Sequence, residues 1–170
     1  MPRVLGIDPG TRIAGYGVLD VHRDGRPHAF IECGVIRLKP DHALEARLLD
    51  LRTGLVDIVD RLQPTVIAIE RPFVGRNVQA AFSIGEARGV ALLIAAERGI
   101  AVRQYPPAQV KSTVAGHGRA TKQDVARLLR LQVTMPDGRV PADATDALAV
   151  ALCDAVHSAP LPPPQANLLR

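Results

Sequence analysis

The chain has 170 residues, of which 47% are hydrophobic and only 3% aromatic, which fits one domain of ordinary size with an aliphatic core. This apolar content excludes disorder along the whole chain, and no apolar run approaches the ~20 residues that span a bilayer. Asp8 interrupts the N-terminus too early for a signal peptide. Cys33 and Cys153 lie far apart in the sequence and predict reduced, buried thiols in a cytoplasmic protein.

The charge is unevenly distributed along the chain. The net charge is +4 and the pI is near 9.6, which by itself is a weak indication of an anionic partner. Ten Lys or Arg and three Asp or Glu fall within residues 71–130, whereas the rest of the chain holds eleven basic and fourteen acidic residues. This division predicts separate roles for a basic and an acidic part, although a solvated basic surface would give the same pattern.

The first half of the chain predicts three strands, a helix and a fourth strand. Short apolar runs separated by polar, Gly-containing segments predict strands at Arg3–Asp8, Gly15–Val21 and Ala29–Leu38. Leucines and valines then recur every three or four residues, which predicts an amphipathic helix over Asp41–Leu62. The β-branched run Thr65–Glu70 predicts a buried parallel strand.

The second half predicts helices on either side of one further strand. An Ala-rich helix over Val78–Arg98 is followed by a strand at Ile100–Tyr105 and by a short helix from Pro106 to about Val114. Thr121 and Asp124 have the spacing of a capping box at the start of the next helix.

The last element is a predicted helix from Pro141 to about His157, because proline suits the first helical position. Three hairpin-linked strands followed by helix-linked strands predict an α/β fold, a mixed five-stranded sheet with helices on both faces. Residues 1–157 would form a single domain, and the Pro-rich residues 158–170 a disordered tail.

Four acids fall where this fold would bring them together. Asp8 and Glu70 end two apolar strands, and if these strands pair in parallel the two carboxylates emerge about 5 Å apart at one edge of the sheet. Asp143 and Asp146 share one face at the start of the last helix. The helix dipole alone favours acids at that position, but the rest of this helix is apolar, and acids entering a buried helix need cations or solvent beside them.

Hard cations would resolve the repulsion among four such acids. Mg²⁺ takes oxygen ligands, and two ions a few ångströms apart can activate a water and stabilise the leaving oxygen in phosphodiester hydrolysis. No cluster of His and Cys competes for a softer metal. The acids therefore predict a site for metal-dependent hydrolysis.

Several motifs stand together in the order and spacing of one known family. They are Gly-Ile-Asp8-Pro-Gly-Thr, Ala-Ile-Glu70, Phe73, Tyr105-Pro-Pro-Ala-Gln-Val-Lys111 with the following Gly116-His117-Gly118, and Pro-Ala-Asp143-Ala-Thr-Asp146-Ala-Leu-Ala. Over about residues 1–157 the chain resembles the RuvC family of bacterial Holliday junction resolvases. Arg71 and Pro72 depart from the family's pattern.

This resemblance implies a ribonuclease H-like fold and a homodimer that binds four-way DNA junctions. It implies paired nicks in two strands of like polarity during recombination and repair, with Mg²⁺ or Mn²⁺, two ions per active site, as the cofactor, and action beside the RuvA–RuvB branch-migration complex. The family's catalytic acids and metal ligands correspond to Asp8, Glu70, Asp143 and Asp146, and its basic positions to Lys111 and Lys122.

The basic segment supplies candidate DNA contacts. Phosphate contacts of this kind give salt-sensitive affinity without sequence specificity, and the candidates are Arg71, Arg76, Lys111, Arg119, Lys122 and Arg127. Phe73 lies in a loop between arginines, where it could stack on an unpaired base or else cover the core.

Two other classes of protein remain open from the residues alone. Asp8-x-Gly10-Thr11 after a first strand also suits the phosphate loop of an actin-like nucleotide-binding protein, but such proteins use two such domains and this length fits one. A junction-binding module without catalytic activity is the second alternative, and the four acids argue against it.

Overall fold

The computed structural model describes residues 1–71, 78–135 and 137–158, with the main chain alone over 78–80. The described strands are β1 (Arg3–Asp8), β2 (Ile13–Asp20), β3 (His28–Arg37), β4 (Val66–Glu70), β5 (Ala101–Tyr105) and β6 (Val133–Thr134). The described helices are α1 (Leu44–Leu62), α2 (Val78–Glu97), α3 (Pro107–Ala115), α4 (Lys122–Gln132) and α5 (Ala142–His157). Each predicted element is present, with ends that agree to within three residues.

The strands form one mixed sheet in the order β5-β4-β1-β2-β3-β6. The pairs β1–β2 and β2–β3 are antiparallel, whereas β1–β4, β4–β5 and β3–β6 are parallel. The mixed sheet is confirmed, but the prediction of five strands is wrong among the described residues, which form six. The additional strand, Val133–Thr134, pairs only with His28 and Ala29, and a two-residue strand is too short to give a periodic signal.

The starts of α1 and α4 are set by local hydrogen bonds, which shorten α1 relative to the prediction and confirm the predicted start of α4. α1 begins at Leu44, not Asp41, because the chain first makes a turn in which His42 N donates to Lys39 O at 3.1 Å. The predicted capping box at α4 is confirmed, since Thr121 Oγ1 accepts from Asp124 N at 3.2 Å and Asp124 Oδ2 accepts from Thr121 N at 3.1 Å.

The helices cover both faces of the sheet, as predicted. Side chains alternate along each strand, so that Leu5 and Ile7 of β1 pack with α1 and α2 while Val4 packs with α3, α4 and α5. α5 supplies a nearly continuous buried run from Ala147 to Ala155. The first and last described elements of the chain therefore share one core.

Three predictions from composition have different outcomes. In the part of the chain that the structure describes, no helix is both long and apolar enough to cross a membrane. Cys153 is buried, but Cys33 is only half-buried, so the prediction of two buried thiols is wrong for Cys33. Residues 159–170 lie outside the described residues, so the disordered tail stays a prediction.

Candidate active site

The parallel pair β1–β4 brings two acids to one edge of the sheet. Ile7 is the ladder partner of Ile69, and Asp8 and Glu70 each follow directly at the end of their strands. The side chains of Ile7 and Ile69 pack on the side of α1 and α2. Because strand side chains alternate, Asp8 and Glu70 both lie on the opposite side of the sheet, which α5 covers.

Glycines let α5 approach this side of the sheet closely. A Cβ atom on Gly15, the ladder partner of Asp8, would collide with the main-chain oxygen of Asp143. A Cβ atom on Gly6 would likewise collide with the main-chain oxygen of Ala147. Only glycine leaves room for such contacts, and they place the first turn of α5 beside the end of β1.

The four carboxylates are close enough to influence one another. The pKa of Asp8 is raised to about 7, first by burial and then by the negative charges of Asp146, Glu70 and Asp143. The pKa of Glu70 is also raised, first by burial and then by Asp146. Like charges disfavour each other's ionised form, so both directions agree with a convergent acidic site.

One cation already lies among these acids. Lys122, the first residue of α4, places its Nζ 2.5 Å from Asp146 Oδ2. Its positive charge also partly opposes the rise in the pKa values of Asp8 and Glu70. Within the described ranges, no three His, Cys, Asp or Glu side chains stand close enough together, as they are placed, to hold a metal ion. The acids share one edge, but enclosing an ion would require their side chains to rotate toward it.

The described basic candidates lie on the segments that surround the acids. The positive charge of Lys111 on α3 partly opposes the rise in the pKa of Glu70. Arg71 directly follows Glu70, and its main-chain N–H donates to Tyr105 O at 2.8 Å. Arg119 and Arg127 are exposed, in the α3–α4 connection and on α4. Phe73 and Arg76 lie outside the described residues, so their DNA contacts stay predictions.

A family model agrees with this arrangement over nearly the whole chain. The model described as crossover junction endodeoxyribonuclease RuvC matches residues 4–154. The chain belongs to the RuvC family. All four acids fall within the matched residues, and RuvC membership favours the nuclease hypothesis over the actin-like one.

Individual relatives agree with the RuvC model. A crossover junction endodeoxyribonuclease RuvC of Chloroflexus aggregans is 44% identical over 158 residues, covering 93% of this chain and 94% of the relative. One of Desulforamulus reducens is 43% identical over 155 residues, covering 91% and 94%. The solved structure of T. thermophilus RuvC in complex with a Holliday junction substrate is similar with a TM-score of 0.84 and 32% identity, covering 91% of this chain and 93% of that one.

RuvC membership implies a divalent metal requirement, and the donor chemistry of the site fits it. Carboxylate oxygens are the ligands that Mg²⁺ and Mn²⁺ prefer, and the acids of β1, β4 and α5 supply only such oxygens.

Sequence reasoning missed two polar residues that contact the elements carrying the acids. Asp154 is fully buried on α5; its signal was an acid inside the apolar run Leu152-Cys153-Asp154-Ala155. Arg47 of α1 donates from Nη1 to Thr11 O at 2.9 Å and so braces the loop after Asp8 from the opposite face. Nothing in the sequence around Arg47 indicates that contact, because it joins segments 36 residues apart.

Proposed function

We propose that this protein is a structure-specific endonuclease that resolves four-way Holliday junctions by metal-dependent phosphodiester hydrolysis, making paired nicks in strands of like polarity. The observation that carries the proposal is the arrival of Asp8, Glu70, Asp143 and Asp146 at one edge of the sheet, in a chain whose relatives are named as crossover junction endodeoxyribonucleases. The junction complex of the T. thermophilus relative supports the choice of substrate.

The four carboxylates are the proposed metal ligands and catalytic residues. Mg²⁺ or Mn²⁺, as two ions, would supply an activated water and stabilise the leaving oxygen. The chain itself holds the carboxylates at a half-buried edge of the sheet, where electrostatic interactions are stronger than in water. It also fixes the start of α5 against Gly15 of β2. Lys122 holds Asp146 in the free protein, and its exposed ammonium can turn to a phosphate instead.

The proposed DNA surface is the basic region formed by α3, α4 and their connection, together with the basic residues that follow β4 in the sequence. Charge on this region would neutralise phosphates without reading sequence. The members are Arg71, Arg76, Lys111, Arg119, Lys122 and Arg127, with Phe73 for stacking at the opened junction.

We further propose a symmetric homodimer, because a junction with two-fold symmetry needs two identical sites. The exposed face of α2 supports this interface: Phe82 is 69% and Leu93 54% exposed, and Gly85 and Gly89 between them have open space where a side chain would begin. These positions recur at helical spacing and permit close approach of a second helix. Action in the cytoplasm beside RuvA–RuvB belongs to the same proposal.

Cleavage of a synthetic four-way junction, with linear duplex of the same sequence beside it, tests the function. We expect Mg²⁺-dependent paired nicks in the junction only. Asp8→Asn should lower cutting by several orders of magnitude while binding junctions in EDTA as well as the parent or better, since one repelling charge is removed. Asp57→Asn makes the same change on the exposed face of α1 and should cut normally. Retained Mg²⁺-dependent cutting by Asp8→Asn would remove Asp8 from the mechanism.

A further inference from the structure

Asp154 stands out because a buried carboxylate is costly unless it is paired. Among the residues whose side chains the structure describes, it is the charged residue that is fully buried. Tyr105 Oη donates to Asp154 Oδ1 at 2.7 Å, and Arg103 Nη1 lies 3.3 Å from Asp154 Oδ2. Both partners belong to β5, so this contact joins the second half of α5 to the outer strand of the sheet.

The contact between Asp154 and β5 joins helix α5, which carries two of the acids, to the strand pair β4–β5, which carries Glu70. Asp154 lies on the same helix as Asp143 and Asp146, about 12–16 Å along its axis. Tyr105 is the ladder partner of Glu70, and its main-chain oxygen accepts from Arg71 N. The hydrogen bond between Tyr105 and Asp154 therefore links the helix that carries two acids to the strand pair that carries a third.

Near the acids, the contacts between α5 and the sheet that the structure describes are apolar or main-chain ones, and the ion pair of Asp146 is with Lys122 of α4, not with a strand. Here α5 meets Gly6 and Gly15 through its main chain and through Ala151, and it meets Gly17 through the side chain of Leu148. Apolar contacts permit close approach, but they are non-directional. A buried hydrogen bond has a required geometry, so it can fix a register that apolar contacts leave weakly specified.

The path of α5 makes the contact effective at the acids. The helix crosses the sheet obliquely: its start lies on Gly15 of β2, its middle on Gly6 of β1, and Asp154 reaches β5. A change of angle about the contact with Gly6 would move both ends together. We infer that Tyr105 and Asp154 are positioning residues, whose hydrogen bond sets where Asp143 and Asp146 stand relative to Asp8 and Glu70.

This inference rests on the proposed function, and substitutions separate positioning from stability. Tyr105→Phe removes the donor. Tyr16→Phe is the matched control, because Tyr16 Oη donates to Glu32 Oε1 at 2.8 Å on the other face of the sheet. Asp154→Leu removes the acceptor and leaves the buried hydroxyl of Tyr105 without this partner, so it should also lower stability, and metal affinity is compared at a temperature where every variant is folded.

Mn²⁺ affinity of the full chain, measured by calorimetry beside the melting temperature, is the first readout. We expect Tyr105→Phe and Asp154→Leu each to weaken Mn²⁺ binding roughly tenfold, as loss of a residue that orients metal ligands does. Tyr16→Phe should keep the parent's affinity, and its loss of stability should be the smaller of the two because Glu32 is partly exposed and also paired with Arg61. Parent-like Mn²⁺ affinity in a folded Asp154→Leu protein would overturn the inference.

Amide NMR in EDTA is the second readout and is independent of metal. Tyr105→Phe and Asp154→Leu should shift the amide signals of Gly15, Asp143 and Asp146, and Tyr16→Phe should not. Signals that change only around Tyr105 would overturn the inference. If the parent binds no Mn²⁺ at all, the proposed function fails, and the NMR result still decides whether the pair positions α5.

Discussion

The pKa of Asp8 is subject to opposing electrostatic effects from the neighbouring acids and from Lys122. Burial and three neighbouring carboxylates raise its pKa to about 7, while Lys122 lowers it. An aspartate with a raised folded pKa binds a proton in the folded chain at pH values where the unfolded chain has released it. Its ionised form is therefore a cost to folding that metal binding would offset.

The sign of this cost gives a prediction for the metal-free protein. Between the ordinary pKa of 3.8 and the raised value of about 7, the folded state holds more protons than the unfolded state, so stability falls as pH rises. Asp8→Asn removes this dependence. In EDTA, the stability of Asp8→Asn relative to the parent should rise by roughly 2–3 kcal/mol between pH 5 and pH 8. Urea denaturation at both pH values, with Asp57→Asn as the control, measures the difference; a gap that does not change with pH contradicts it.

Lys122 is the second residue whose role can be separated from simple solvation. Its substitution by alanine removes a phosphate contact and leaves Asp146 without its 2.5 Å ion pair, and both changes weaken the binding of an anion. We expect Lys122→Ala to lower junction affinity and to reduce the slope of log affinity against log salt by about one. Arg23→Ala removes one positive charge at the opposite end of the sheet and should leave the slope unchanged. If Lys122→Ala has the same slope as the parent, Lys122 is a solvated surface residue that makes no phosphate contact.

At the scale of elements, the position of α5 is decided by glycines in the strands beneath it. Gly15 pairs with Asp8 and underlies the main chain of Asp143, so a larger residue would lift the helix at the point where its acids begin. The contact between Gly15 and Asp143 therefore contributes to the packing of α5 and also sets where the acids of α5 stand.

Gly15→Ala tests this dependence. The added methyl would collide with main-chain atoms of α5, which cannot rotate away, so we expect a loss of roughly 1–3 kcal/mol in stability and weaker Mn²⁺ binding in the protein that remains folded. Gly118→Ala is the control, because its Cβ would meet Ala108 only at ordinary contact distances. Calorimetric melting and Mn²⁺ titration measure both effects, and a Gly15→Ala protein that matches the parent in both would show that α5 has room to spare.

The sequence predicts the strand ends and the helix start that carry the acids, because each has a local signal: a β-branched run before Glu70, an apolar run before Asp8, and a proline before Asp143. It does not predict the contact between Gly15 and Asp143 or the pairing of Asp154 with Tyr105, since both join distant segments. The sixth strand β6, directly after α4, is missed for the same reason, because it forms by pairing Val133 with the distant His28 at the edge of the sheet.

At the scale of the whole molecule, α2 exposes the apolar side chains Phe82 and Leu93 on one face, and no other described element covers them. Exposed patches of this kind on a helix indicate association, and its glycines would allow two such helices to cross closely.

A charge on this face should separate the proposed dimer. We expect the parent to sediment as a dimer and Leu93→Glu as a monomer with the fold intact by circular dichroism, because an unpaired charge would be buried at the interface. Leu131→Glu is the matched control, since Leu131 is 71% exposed on α4, and it should remain dimeric. A parent protein that sediments as a monomer at working concentration while making paired cuts would contradict the dimer.

The order of elements along the chain has a consequence for biosynthesis. β1, which ends in Asp8, is made before α5, which bears Asp143 and Asp146, covers β1 and its neighbours, and is the last described element. A nascent or truncated chain without α5 holds half of the acids and exposes the apolar strand face that α5 would cover. Folding of the domain and completion of the proposed active site would therefore be one event, and a chain that has not finished folding would lack the proposed site for cutting DNA.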